Sequence, residues 1–237
     1  LAVTPPPVTL HPESSGTAFC PSHRYTMKRT FDLVLALLLG LLALPVVLAG
    51  MLAIWLDTGR PLFFTQQRAG RHGRPFRIYK LRSLHTGDHD PVHPGLHVTR
   101  VGSWLRRYAI DEIPQLWNVL RGEMSIVGPR PILLPEARAY DERQRQRLDV
   151  RPGLTGWAQI HGRNALSWDE RIEHDLWYVH HRSLRVDVLI VLRTPLVLFH
   201  GTGVYGPGNH DPTADDVRHA TSAAEPPTAS TVSPSGL

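Results

Sequence analysis

Residues 33–56 form a run of 24 residues without one charged side chain. A bilayer's hydrocarbon core takes roughly 20 apolar helical residues, so this run is long enough to enter a membrane. Gly40, Pro45 and Gly50 punctuate it. A proline inside a helix removes one backbone hydrogen bond and crowds the preceding turn, which makes Pro45 the expected break. Each arm, 33–44 or 46–56, would reach only about 16–18 Å. Both flanks are basic. Arg24, Lys28 and Arg29 precede the run, and no acid interrupts the cations between Arg60 and Arg82. Positive charge marks the cytoplasmic side of a membrane. A spanning helix would strand one cluster outside, whereas a re-entrant hairpin turning near Pro45 keeps both inside. The hairpin is therefore expected over residues 25–57.

The two ends differ in character from the middle. Residues 1–24 carry Pro5, Pro6, Pro7, Pro12 and Pro21 without periodicity, and residues 201–237 repeat this Pro, Gly and Ser content. Such segments bury too little apolar surface to offset chain entropy, so both are expected to be disordered. Residues 58–200 remain as a cytoplasmic catalytic domain. The net charge of +5 permits nucleic acid, anionic lipid or phosphorylated small molecules as partners without choosing among them. The single cysteine, Cys20, rules out a disulfide framework and suits a reducing compartment.

Chemistry concentrates in residues 108–131. Asp111 and Glu112 stand just before Pro114 and an apolar stretch with Leu116, Trp117 and Leu120 at helical spacing. Pro114 suits a first helical turn, which places the carboxylates near a helix N-terminus. A short strand over 124–127 then leads to Gly128, Pro129, Arg130 and Pro131, a stiff turn presenting Arg130. Acidic pairs more often cap helices and face solvent. Here Arg106 and Arg107 lie close upstream, able to neutralise the pair or to hold a phosphate.

The remaining segments are read more briefly. Strands are expected at 61–68 and 76–82, the second alternating apolar and basic residues with one wet, cationic face. His85, His89, His93 and His97 are spaced by four, but Pro91, Pro94 and Gly95 interrupt any helix that would align them on a metal. Ser103 is an expected N-cap. Residues 135–147 read as one charged, solvated helix. Arg151 and Arg163 lie on glycine-punctuated loops, where close backbone approach to a ligand is possible. Ser167 and Glu170 form a capping box opening a helix to about His181. Residues 184–199 are apolar but hold Arg185, Asp187 and Arg193, which points to an interfacial helix rather than a second span.

In order, Lys28 to Asp32, Phe64 to Arg68, Phe76 to Lys80, Asp111 to Pro131, Val150 to Gln159, Gly162 to Asn164 and Ser167-Trp168 resemble the bacterial sugar transferase family, the small monotopic phosphoglycosyl transferases. The resemblance covers about residues 28–200. It implies an α+β chain: a membrane re-entrant helical hairpin plus a small cytoplasmic α/β catalytic domain with interfacial amphipathic helices. It implies transfer of a sugar-1-phosphate from a UDP-sugar to undecaprenyl phosphate at the inner leaflet of the bacterial cytoplasmic membrane. Release of UMP and a need for Mg²⁺ follow from the same resemblance. Asp111 would be the nucleophile that forms a covalent phosphosugar intermediate, with Glu112 its partner and both at the metal. By position in the motifs, Arg106, Arg130, Arg163 and Asn164 would meet substrate or phosphate, and Lys28, Arg29 and Pro45 would belong to the hairpin. An inactive membrane-anchored scaffold is the alternative, which an intact Asp111, Glu112 and Arg130 disfavour. A nucleic-acid binder would need a recognition motif, and none is seen.

Overall fold

The structure, a computed structural model, describes residues 21–85 and 97–200. The expected C-terminal tail, the N-terminal arm ahead of Pro21 and the histidine segment over 86–96 lie outside the described residues.

Leucine and alanine are strong helix formers, and the apolar run lies within one helix, α1 (Pro21–Thr58). Pro45 sits inside it, so both expected arms belong to one helical element. Pro45 forfeits a single backbone donor, and the helix formers on either side carry the helix past it. α1 also opens at Pro21, ahead of the boundary expected at residue 25. Its less exposed positions, Asp32, Ala36, Gly40, Ala43, Val47, Gly50 and Ile54, recur every three or four residues and make one stripe. Leu37, Leu41, Leu42, Leu48, Leu52 and Leu56 stay exposed on the other faces. The stripe lies against the rest of the chain at both ends. Arg29 donates to the Val119 and Leu120 carbonyls. Gly50 backs onto Leu81 and Leu105, whose methyl carbons would lie 3.2 and 3.3 Å from an added Cβ.

The two expected strands, β1 (Phe63–Ala69) and β2 (Pro75–Leu81), pair as an antiparallel hairpin, with Phe63 opposite Leu81 and Ala69 opposite Pro75. Left-handed His72 and Gly73 turn it. A two-residue pair follows, β3 (Leu84–His85) with β4 (His97–Val98). Helix α2 (Arg100–Arg107) is capped by Thr99, whose hydroxyl accepts from Gly102 N at 2.7 Å, so Ser103 is inside the helix and not its cap. Thr99 is the first residue able to bond a free N–H two or three positions on. A 3₁₀ turn (Ile110–Gln115) runs directly into α3 (Leu116–Arg121), closed by left-handed Gly122. β5 (Ser125–Val127) follows.

The single helix expected over 135–147 is three pieces: α4 (Leu134–Ala139), α5 (Glu142–Arg145) and a 3₁₀ turn (Gln146–Asp149). Tyr140 is extended, and Asp141 restarts the helix by a capping box with Gln144. β6 (Gly153–Thr155) pairs in parallel with β5, Ser125 opposite Gly153. The chain ends in α6 (Trp157–His161), a 3₁₀ turn (Arg163–Ala165), α7 (Trp168–His181) opened by the Ser167–Glu170 box, and α8 (Leu184–His200).

The main core joins Ala36 of α1 to Phe76, Ile78, Leu116, Val119, Met124, Ile126, Val127, Tyr178 and Ile190. A second cluster joins Ile54 to Leu81, Leu105 and Ile110. Helix α1 thus supplies both. Trp117, expected on the buried face of α3, is 55% exposed; Val119 takes its place. α8 buries Ile190 and leaves Leu192, Leu196 and Phe199 exposed.

Candidate active site

The carboxylate pair sits on the 3₁₀ turn between α2 and α3. Ala109 precedes it with φ at 54°, a left-handed value costly for a residue with a Cβ. That conformation turns the chain out of α2 and aims Asp111 inward, where it is buried. The expectation of a pair near a helix N-terminus holds, with Pro114 in the 3₁₀ turn rather than in α3 itself.

Glu112 is pinned by two cations. Lys80 Nζ, from β2, lies 2.7 Å from Glu112 Oε1. Arg130 donates from Nη2 to Oε1 at 2.7 Å and from Nη1 to Oε2 at 3.4 Å, a two-pronged grip. Burial alone would raise the Glu112 carboxyl, but Arg130 and Lys80 outweigh it and hold it far below the usual carboxylate range. Asp111 is the opposite case. Burial raises it, the neighbouring Glu112 charge raises it further, and Lys80, Arg106 and Arg130 only partly offset them. Two adjacent carboxylates thus carry pKa values pushed apart, a mark of assigned roles at a functional site.

The Gly128–Arg130 turn is fixed from several sides. Gly128 N donates to Thr155 O, and Gly153 N donates to Pro129 O at 2.8 Å. A Cβ on Gly153 would lie 2.1 Å from Gly128 N, so only glycine permits this approach. Behind the turn, Arg147 pairs with Asp175 at 2.6 Å, hydrogen-bonds Tyr140 and makes a long contact to the Arg130 carbonyl. Arg147, read in sequence as one of a solvated set, is therefore buried. Such an ion pair is bound to its partners because an uncompensated buried charge is costly.

Arg163 comes in from the loop after α6, with φ at 53° following Gly162. Burial lowers its pKa, Glu112 and Asp111 raise it and Arg130 lowers it, so it shares their electrostatic neighbourhood. Its Nη1 and both amide atoms of Gln159 are buried without a hydrogen-bond partner among the described residues. Unpaired buried polar atoms cost about 1–3 kcal/mol each until a partner arrives. Asn164 follows in the same 3₁₀ turn. Arg151 is elsewhere, donating from Nε to Gly122 O. Lys28 and Arg29, at the head of α1, contact the carbonyls of Val127 and Val119.

The structure thus brings Asp111, Glu112, Arg106, Arg130 and Arg163 into one neighbourhood. Sequence reasoning missed Lys80, treating the cations of its strand as solvated. Strand parity held the signal, since Lys80 shares the face of buried Phe76 and Ile78. Gln159 carries no such signal before folding.

A buried Asp111 and a partly buried Glu112 ringed by guanidinium and ammonium groups, beside a long apolar helix, make a site suited to an anionic group. The chain belongs to the bacterial sugar transferase family, whose sequence profile matches residues 23–201. It is 42% identical over 172 residues to the uncharacterized sugar transferase EpsL of Bacillus subtilis strain 168, covering 71% of this chain and 85% of that one. It is 39% identical over 196 residues to the UDP-glucose:undecaprenyl-phosphate glucose-1-phosphate transferase of Escherichia coli K12, covering 76% and 41%. It is 40% identical over 210 residues to the UDP-N-acetylgalactosamine-undecaprenyl-phosphate N-acetylgalactosaminephosphotransferase of Aeromonas hydrophila, covering 82% and 48%. The chain therefore spans less than half the length of these two named transferases.

Proposed function

We propose that this chain transfers a sugar-1-phosphate from a UDP-sugar to undecaprenyl phosphate, releasing UMP and starting a lipid-linked glycan of the exopolysaccharide, capsule or O-antigen type. The names of its relatives support the donor and acceptor classes. The observation that carries the reading is a buried Asp111 beside a Glu112 already occupied by Arg130 and Lys80.

By its place in the family motif Asp111 is the attacking carboxylate, with Glu112, paired to Arg130 and Lys80, its partner. Its oxygen adds to the sugar-bearing phosphorus, and the bond from that phosphorus to the bridging oxygen breaks. UMP leaves with the electron pair, and the phosphosugar is held as an acyl phosphate on Asp111. An oxygen of undecaprenyl phosphate then attacks the same phosphorus, and the Asp111 carboxylate leaves. Phosphoryl transfer depends mainly on alignment and charge neutralisation. Arg130 and Arg106 supply cations beside the pair, and Arg163 and Gln159 offer buried polar atoms that a substrate can satisfy.

The donor set fits magnesium. Mg²⁺ takes one or two carboxylates together with substrate phosphates, and among the described residues no third His, Cys, Asp or Glu joins this pair. Asp111 and Glu112 would hold the ion, which when bound supplies charge neutralisation to the phosphates.

We read α1 as a re-entrant helix in the inner leaflet, with the catalytic domain on the cytoplasmic face. Support comes from the contacts of both its ends with one domain. α2, exposing Trp104, and α8, exposing Leu192, Leu196 and Phe199, serve as the interfacial helices. The test is UMP release by the full chain in nanodiscs with Mg²⁺, undecaprenyl phosphate and a panel of UDP-sugars. Release from one sugar, together with a phosphosugar adduct on the intact protein that is absent in Asp111→Asn, is expected. Silence with every sugar from folded protein would overturn the reading.

A further inference from the structure

The basic residues at the head of α1 read in sequence as the cationic flank that keeps the start of the apolar run on the cytoplasmic side. The structure gives them partners within the chain. Arg29 donates from Nη1 to Val119 O at 2.7 Å and from Nη2 to Leu120 O at 2.9 Å. Those carbonyls lie in the last turn of α3, where a cation is favoured, and Val119 O also accepts from Gly122 N at 3.0 Å. Lys28 Nζ donates to Val127 O at 3.2 Å and lies 2.9 Å from Asp187 and 3.5 Å from Asp32. Asp32, one turn further along α1, accepts from Ile126 N at 3.1 Å.

These contacts fall on α3, on β5 and, through Asp187, on α8. α3 continues directly from the turn that carries Asp111 and Glu112. β5 ends at Val127, just before the turn that carries Arg130. The site requires these two segments in register, because Arg130 must meet Glu112 in a two-pronged grip. One turn of the membrane helix holds both.

We propose that Lys28, Arg29 and Asp32 are positioning residues that clasp the two catalytic segments together, so that seating of the membrane helix sets the alignment of Arg130 with Glu112. They touch no substrate and act through backbone groups of α3 and β5, with Lys28 also paired to Asp187 of α8 and Asp32 also accepting from the Ser125 hydroxyl. The kinetic part of this inference rests on the transferase reading above.

Arg29→Lys separates this from headgroup binding, because it keeps the charge and loses the fork that reaches two carbonyls. The full chain in nanodiscs, with and without anionic lipid, is compared for membrane partition, kcat, KM and amide exchange over residues 111–130. The clasp predicts unchanged partition and faster exchange over 119–128. It also predicts a kcat lower by about 10- to 100-fold with KM within about twofold, the scale of a small misalignment, at either lipid composition. Unchanged kcat and exchange in Arg29→Lys would overturn it, as would activity that follows anionic lipid alone. If Arg29→Lys does not fold, Lys28→Arg tests the β5 arm by the same readouts. A wild-type chain that turns over no UDP-sugar sinks the transferase reading alone, because the exchange comparison still decides the clasp.

Discussion

Asp111 and Glu112 are adjacent in sequence yet affect stability in opposite directions. The Glu112 carboxyl is lowered in the fold, so its contribution is present above its unfolded pKa and lost as pH falls through the folded value. The Asp111 carboxyl is raised, so its stabilisation belongs to the protonated form and is lost as pH rises through the folded value. Asp111→Asn is therefore expected to raise Tm at neutral pH while cutting UMP release by about 10³-fold or more, the exchange of stability for activity seen at functional sites. Glu112→Gln is expected to lower Tm at neutral pH, because it leaves Arg130 and Lys80 without their shared carboxylate. Thermal melts of the two variants beside the wild type decide both, and equal shifts of one sign would contradict the assignment. The pH profile of kcat/KM should show an acid limb above the ordinary aspartate range, reporting a nucleophile that must lose its proton. Asp111, Glu112 and Arg130 were legible in sequence because an acidic pair before a proline and a Pro-Arg-Pro turn are local patterns. Lys80 was not, because its partner is 32 positions away and only the hairpin register brings them together.

At the scale of the element, the small residues of α1 explain how an apolar helix lies so close to a polar domain. Ala36, Gly40, Ala43 and Gly50 recur on the stripe facing inward, and the leucines face away. Gly50→Leu should push the helix off Leu81 and Leu105, at a cost of about 1–3 kcal/mol typical of overpacking, read as a lower Tm with faster amide exchange around Leu105. The contacts at both ends also predict topology. In a Cys20→Ser background, Met27→Cys and Asp57→Cys should both resist an impermeant maleimide in intact spheroplasts and react once the inner membrane is opened. Labelling of one but not the other before opening would mean a span. The length and flanking charge of α1 were legible beforehand, and so was the Ser167 capping box. Its continuity through Pro45 was not, because the cost of one lost hydrogen bond is set against propensity summed over many residues. The three pieces of 134–149 were not read because helix propensity runs through Tyr140, although the Asp141–Gln144 capping box that restarts the helix is a local signal.

Across the whole molecule, exposed apolar side chains gather on α1 and α8. Leu192→Glu combined with Leu196→Glu is expected to weaken flotation with lipid vesicles while leaving the thermal melt within about 0.5 kcal/mol of wild type, as surface changes away from packing do. Unchanged flotation would remove α8 from the membrane face. The involvement of α1 in two of the three hydrophobic clusters has a consequence for biogenesis. Ala36 and Ile54 are synthesised before the partners they pack against, and a chain emerging from the ribosome N-terminus first holds this helix ready while the remainder is made. α1 is then expected to act as a template on which the rest of the chain assembles. A chain beginning at residue 59 should emerge as an aggregating, protease-sensitive product rather than a free catalytic domain. Delivery to the membrane and acquisition of the native state would be one event in the life of this protein.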